Sequence, residues 1–218
     1  TAIKDKQTEV AKQVEKLSSE LLTIFNDSNS PSKVKGASIT AMRRKGDPTF
    51  EKTVINILSN PSQYSDIVIR HAVVSAAKSK SVKELLPQIE NIARSTDSPE
   101  VYASSMYALG IIGNTDAIVA LVSVFGRHGN ERIGGAALRK NQRTMMLMLD
   151  PDQPADLIET GLAAVRLSTV QGVKKNLQKL TTSGPTEEIR FKAAEIIKEL
   201  YKKENSTDEK LLNKWDAD

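Results

Sequence analysis

The sequence contains the segment Ile69-Arg70-His71-Ala72-Val73-Val74-Ser75-Ala76-Ala77, in which a branched residue precedes small or apolar pairs four to five and seven to eight positions later. Spacings of three and four place such residues on one face of an α-helix. The pattern returns at 101–110 and at 189–197. Weaker copies start at Val34, Ile133 and Ile158. Successive copies start 35, 32, 32, 25 and 31 residues apart, and such a period is typical of helical-repeat proteins.

A second apolar stripe lies between successive copies. One example consists of Val82, Leu85, Leu86, Ile89 and Ile92, whose spacing indicates an amphipathic helix. Related stripes occur at 54–58, 118–125 and 173–180. Prolines at 48, 99 and 185 separate the units, because proline suits a first helical turn but not a helix interior. Each unit is therefore predicted to consist of two helices.

The repeated pattern resembles the HEAT-repeat family, which is armadillo-like, most clearly at Ile189-Arg190 and Ala108-Leu109-Gly110. The resemblance covers residues 31–203. It implies an all-α fold, a right-handed α-solenoid of about five to six HEAT-like helical hairpins whose second helices line a concave face. The fourth unit departs from this pattern because Ala136-Ala137-Leu138 leads into Arg139-Lys140-Asn141-Gln142-Arg143. We expect an irregular helix pair there.

The two ends are expected to cap the array. Residues 1–30 carry a heptad-like stripe, which predicts an N-terminal capping helix, with a dimerising coil as the alternative. Residues 204–218 form a C-terminal tail that is predicted to contain a short amphipathic helix. Its Trp215 either covers the last repeat or anchors another protein.

The residue types needed for catalysis are scarce. The chain has no cysteine and two histidines, so it offers neither a thiol nucleophile nor a recognisable metal-ligand set, and no cofactor is expected. The segment Gly110-Ile111-Ile112-Gly113 lacks the Lys-Ser/Thr of a phosphate loop. Some HEAT-like proteins excise damaged bases, but Tyr102 and Tyr107 fall on a first helix, predicted to face outward or into the core. We expect a chain that is not an enzyme.

Positive charge is concentrated in one segment. Between residues 127 and 143 five basic residues accompany a single acid, Glu131. The net charge of this segment, +4, therefore equals the net charge of the whole chain. A second group without an intervening acid follows. The predicted partner-binding residues are Arg127, Arg132, Arg139, Lys140, Arg143, Arg166, Lys174, Lys175 and Lys179. The alternative is that these basic side chains bind no partner and only keep an exposed helix face in contact with water.

These features predict a non-catalytic protein-binding scaffold that presents a concave, locally basic groove to an acidic partner protein. The alternative is sequence-independent binding of nucleic acid or another polyanion through the same residues. No apolar run approaches the roughly 20 residues needed to span a bilayer. The chain begins at Thr1 and lacks cysteine, so we expect an exported or periplasmic protein in preference to a cytoplasmic one.

Overall fold

The computed structural model describes residues 2–129, 131–170 and 172–200, and throughout these ranges the chain is all-α, without a strand. The helices are α1 Ala2–Asn26, α2 Ser32–Lys45, α3 Phe50–Ser59, α4 Asp66–Ala76, α5 Val82–Ser95, α6 Pro99–Ile112, α7 Thr115–Ser123, α8 Glu131–Lys140, α9 Gln142–Met148, α10 Ala155–Ser168, α11 Lys174–Ser183 and α12 over 187–200. Short 3-10 turns occur at Pro61–Gln63 and Arg127–Gly129. The all-α prediction is confirmed.

Each of the six copies of the repeated pattern lies on a helix. The copies occupy α2, α4, α6, α8, α10 and α12, which we call the first helices. The apolar stripes between them fall on α3, α5, α7 and α11, the second helices. The fourth repeat, expected to be irregular, also has a second helix in α9, although α8 has only 10 residues and α9 only seven. This repeat is therefore short but keeps two helices.

The chain divides into two compact units. Unit 1 contains the described residues up to Ile112 together with Gly126–Ile133, and unit 2 contains Gly113–Phe125 together with the described residues from Gly134 onward. In unit 1 the first helices form a row, with α2 packed on α4 and α4 on α6, while α3 contacts α2, α4 and α5. In unit 2, α7, α9 and α10 pack against one another.

Small aliphatic side chains fill the interior of both units. Ile39 and Leu85 are fully buried in unit 1, as is Leu121 in unit 2. Of the two tyrosines on α6, Tyr102 is fully buried and Tyr107 is 51% exposed. One ring therefore faces the core and the other faces outward, the two orientations expected for a first helix.

The N-terminal segment forms the long helix α1, which packs on α2. Its apolar stripe is half-buried at Val14, Leu17 and Leu21 but exposed at Val10 and Ile24. The contact with α2 is compatible with a capping helix, which stays a prediction. The predicted C-terminal tail over 204–218, with Trp215, lies outside the described residues.

Side-chain contacts between distant parts of the chain follow one rule. Long-range side-chain hydrogen bonds recur among the described residues at separations of 28 to 34 positions, from Ser79 with Glu51 to Arg70 with Ser104. This separation matches the period of the sequence repeat. Within each compact unit, neighbouring repeats are therefore joined at equivalent positions.

The crossing of α2 and α4 depends on one glycine. A Cβ atom on Gly36 would lie 2.5 Å from Cδ2 and 2.9 Å from Cγ of His71, so the imidazole ring rests directly on the α2 backbone. Glycine inside a helix costs about 0.5–1 kcal/mol relative to alanine. At this position the close approach of the two first helices offsets that cost.

We expect Gly36→Ala to lower the free energy of unfolding by about 1–2 kcal/mol, because overpacking against the ring outweighs the gain in helix propensity. In a His71→Ala background the clash is gone, and the same change should stabilise the chain by about 0.5–1 kcal/mol. Urea unfolding of the four proteins measures both values. If Gly36→Ala changed the free energy of unfolding in the same direction with and without the His71 side chain, the contact between Gly36 and His71 would be contradicted.

Candidate functional site

Two of the predicted partner-binding arginines cover helix ends. Arg127 is half-buried and donates to the carbonyl oxygens of Ala93, at 2.8 Å, and Arg94, both in the last turn of α5. Arg139 donates to the carbonyl oxygen of Ser168, the last residue of α10, at 3.1 Å. Cations at a helix C-terminus satisfy unpaired carbonyls and complement the helix dipole. These two side chains therefore have a structural role.

Two further predicted residues form ion pairs across repeats in unit 2. Arg166 lies 3.0 Å from Glu199 and 3.8 Å from Glu195, and Lys179 lies 3.7 Å from Asp150. All of these side chains are about half exposed, and exposed pairs contribute roughly 0–1 kcal/mol each. Their positive charge is nevertheless matched by nearby carboxylates, which weakens any attraction for an acidic partner.

The remaining five predicted residues differ in exposure. Arg132, Lys140, Arg143 and Lys175 are exposed and form no ion pair with any residue that the structure describes. Lys174 is half-buried at the start of α11. Arg127 and Arg132 belong to unit 1 and the other seven to unit 2. Four of the nine predicted residues are thus held by contacts within their own unit.

A different cluster of cations lies in unit 1. The first helices α2, α4 and α6 border a groove of about 630 Å³, which we call the basic groove. Its cationic lining consists of Lys33, Arg43, Arg44, Arg70 and Lys78. None of the described residues that line it carries a carboxylate, and none belongs to α3 or α5. The resemblance implied a binding face on the second helices, whereas this groove lies on the first.

Helical periodicity explains how these side chains come together. On α2, the groove is lined by residues 33, 37, 40 and 44, and on α4 and just beyond it by residues 67, 70, 74 and 78. Steps of three and four residues keep each set on one helix face. Because α2 packs beside α4, the two faces meet and their cations converge. Gly46, with φ of 67°, ends α2 directly after the basic run Arg43-Arg44-Lys45.

His71 lies between the two helices at the wall of the groove. Its Nδ1 shares a hydrogen bond of 3.0 Å with Oγ1 of Thr40, which ties α4 to α2. Burial, and secondarily the positive charge of Arg70, lower the pKa of His71 below its usual value of 6.5. The imidazole is therefore neutral at pH 7, and the charge of the groove comes from its lysines and arginines.

The arginines of the groove keep unused donors. Arg70 donates its Nε–H to Oγ of Ser104 at 3.2 Å, and Ser104 in turn donates to the carbonyl oxygen of Glu100. The Nε–H of Arg43 is buried and has no acceptor among the described residues. No described carboxylate forms an ion pair with any of the five cations. Chemically, the groove offers guanidinium and ammonium donors to an anion.

Comparisons with known proteins add no further assignment. No protein-family model matches the sequence, and the search of curated proteins gives no match. Among the described residues no group of His, Asp and Glu side chains is arranged to hold a metal ion. No helix in the described part is long and apolar enough to cross a membrane. The candidate site accordingly rests on the geometry of the basic groove.

Sequence reasoning missed this site because its residues are divided between two repeats. In the sequence, Arg43-Arg44-Lys45 lies at the end of a helical pattern, where the helix dipole alone accounts for its charge. The available signal was the pair of helical faces, at 33-37-40-44 and 67-70-74-78, in equivalent positions one repeat apart. Only the packing of α2 on α4 shows that the two faces form one surface.

We expect Arg127→Ala to lower the free energy of unfolding by about 1–2 kcal/mol, because carbonyl oxygens at the end of α5 lose their charged donor. Arg132→Ala removes the same charge from an exposed position of unit 1 and should change stability by less than about 0.5 kcal/mol. Equilibrium unfolding in urea compares the two variants. Equal losses would show that Arg127 acts only through its charge.

NMR titration of the imidazole resonances should give His71 a pKa below 6.5. Arg70→Gln should raise this pKa only part of the way, because burial is the larger cause and persists in the variant. Because the pKa of His71 is lower in the folded chain than in the unfolded chain, the unfolded chain binds the proton more readily. The free energy of unfolding should therefore fall as the pH drops below about 6.5, the pKa of an unfolded-state histidine. A pKa at or above 6.5 in the unchanged chain would refute the assigned burial.

Proposed function

We propose that the chain is a non-catalytic scaffold of HEAT-like helical repeats, arranged as a right-handed α-solenoid, which binds an acidic partner protein. The fold part of this proposal is supported by the six repeated patterns on six helices, by the row of first helices in unit 1, and by hydrogen bonds that join positions 28 to 34 apart. Repeat scaffolds of this kind present extended binding surfaces.

The observation that carries the binding part is the uncompensated charge of the basic groove. Five cations line a cavity of about 630 Å³ without a described carboxylate among them. Like charges held close together repel one another, and this repulsion is stronger in a cleft than on an open surface. An anionic ligand relieves the repulsion and accepts hydrogen bonds from donors that otherwise face water. The groove is therefore suited to carboxylates of a partner.

A protein segment fits this groove better than nucleic acid. Binding of single strands relies on bases stacked against aromatic side chains, and none of the described residues that line the groove is Phe, Tyr or Trp. The lining instead offers guanidinium and ammonium groups. Such groups suit the carboxylates of an extended acidic segment.

The test uses fluorescence anisotropy with a labelled peptide of alternating Glu and Gly residues and with a labelled DNA duplex. We expect the peptide to bind, with an affinity that falls about tenfold or more between about 50 and 300 mM salt. The triple variant Arg44→Glu, Arg70→Glu, Lys78→Glu should weaken this binding at least about tenfold, since all three side chains are exposed in the groove.

The matched control is Lys140→Glu, Arg143→Glu, Lys175→Glu, which makes the same change in net charge at exposed positions of unit 2. It should alter peptide affinity by less than about threefold, because it leaves the groove intact. If both triple variants lost peptide affinity to the same extent, net charge alone would explain the binding and the basic groove would not be the site. Tighter binding of the DNA duplex than of the peptide would replace the acidic partner with a polyanion.

A further inference from the structure

A second cavity adjoins the basic groove. It has a volume of about 450 Å³ and lies between α1 and α2, and we call it the apolar chamber. Its apolar lining consists of Leu17, Leu21, Ala37 and Ala41. Both leucines are only half-buried, so the α1–α2 contact leaves apolar surface open to a ligand.

The chamber has a simple origin in the sequence. Leu17 and Leu21 are four residues apart on α1, and Ala37 and Ala41 are four apart on α2, so each pair occupies one helix face. Alanine side chains are too short to fill the space opposite the leucines. The result is an apolar cleft between the two helices.

The chamber and the basic groove share part of their walls. Ala37, Thr40, Arg44 and His71 line both cavities. A single extended ligand can therefore occupy the two at once, with an apolar group against α1 and an anionic group between α2 and α4. The cations of the basic groove attract the anionic end of such a ligand, so its apolar end lies in the chamber.

We infer that the partner segment carries a leucine-type side chain next to its acidic residues, the apolar side chain entering the chamber and the carboxylates entering the basic groove. This inference rests on the proposed function and adds the sequence class of the segment. A few buried anchor side chains commonly supply most of the binding free energy at an interface, while charge complementarity contributes mainly specificity and association rate.

The composition of the chamber favours a side chain over a lipid tail. Four of its eight lining residues are polar or charged, namely Thr40, Arg44, Lys45 and His71. A long acyl chain requires a continuous apolar surface, whereas one leucine needs contact on a few sides only.

The experiment compares two labelled peptides of equal charge, one alternating Glu with Gly and one in which Leu replaces two of the glycines. The unchanged chain should bind the leucine peptide about tenfold more tightly, since burial of a leucine side chain in the chamber adds to the electrostatic attraction. Most of this ratio should persist at high salt, because burial of apolar surface is not screened by ions, whereas the affinity of both peptides falls.

Ala41→Met tests the location, because Ala41 lines the chamber but not the basic groove. The added side chain should fill the cleft and bring the two peptides to within about twofold of each other, with the glycine peptide unaffected. Leu21→Ser, which removes apolar wall without filling the cleft, provides a second variant with the same expected loss. Ala136→Met, on an exposed position of α8, is the matched control and should keep the full ratio.

The outcomes separate this inference from the proposed function. If both peptides bind the unchanged chain equally, the apolar anchor is wrong and the acidic partner stands. If neither binds, both proposals fail. A tenfold preference that survives Ala41→Met and Leu21→Ser would place the anchor elsewhere and overturn the assignment to the chamber. Tighter binding to phosphatidylserine vesicles than to the leucine peptide would replace the peptide with a lipid surface.

Discussion

Helix α2 can lie against helix α4 because Gly36 has no side chain where the imidazole of His71 crosses it. The hydrogen bond between Thr40 and His71 fixes this crossing from the side. Both features hold the two helix faces that carry the groove cations at a constant distance. A weaker crossing would separate the faces and disperse their charge, so the candidate site depends on this packing.

The same packing creates an energetic conflict within unit 1. Five cations are brought together without a described carboxylate to neutralise them, whereas in unit 2 the exposed Arg166 is paired with Glu199 of α12 and the exposed Lys179 with Asp150, which follows α9. Neutral side chains, or a mixture of acids and bases, at the exposed positions of the groove would allow the same helix packing. Sites that keep unfavourable local electrostatics are often those with a ligand to bind.

The sequence was sufficient to predict the helices but not the site. Repeated spacing placed six first helices correctly because helical periodicity is local and depends on burial of one face. Linear clustering of basic residues says less, since it does not show which neighbour a long side chain reaches. Arg127 contacts a helix end more than 30 residues away, and Arg139 contacts one 29 residues away, so charge that looks free in the sequence is engaged in the fold. Residues 33 and 70 show the opposite case, because they are distant in sequence yet line one groove.

The hydrogen bonds that connect equivalent positions also bear on how the chain reaches its folded state. Since the long-range side-chain bonds of the described residues join positions 28 to 34 apart, each contact closes a loop of similar and moderate length. Chains with short average sequence separation between contacting residues have low contact order, and they lose little chain entropy before favourable contacts form. Folding can then begin at whichever neighbouring pair of repeats first packs together and extend from it, rather than waiting for the chain ends to meet.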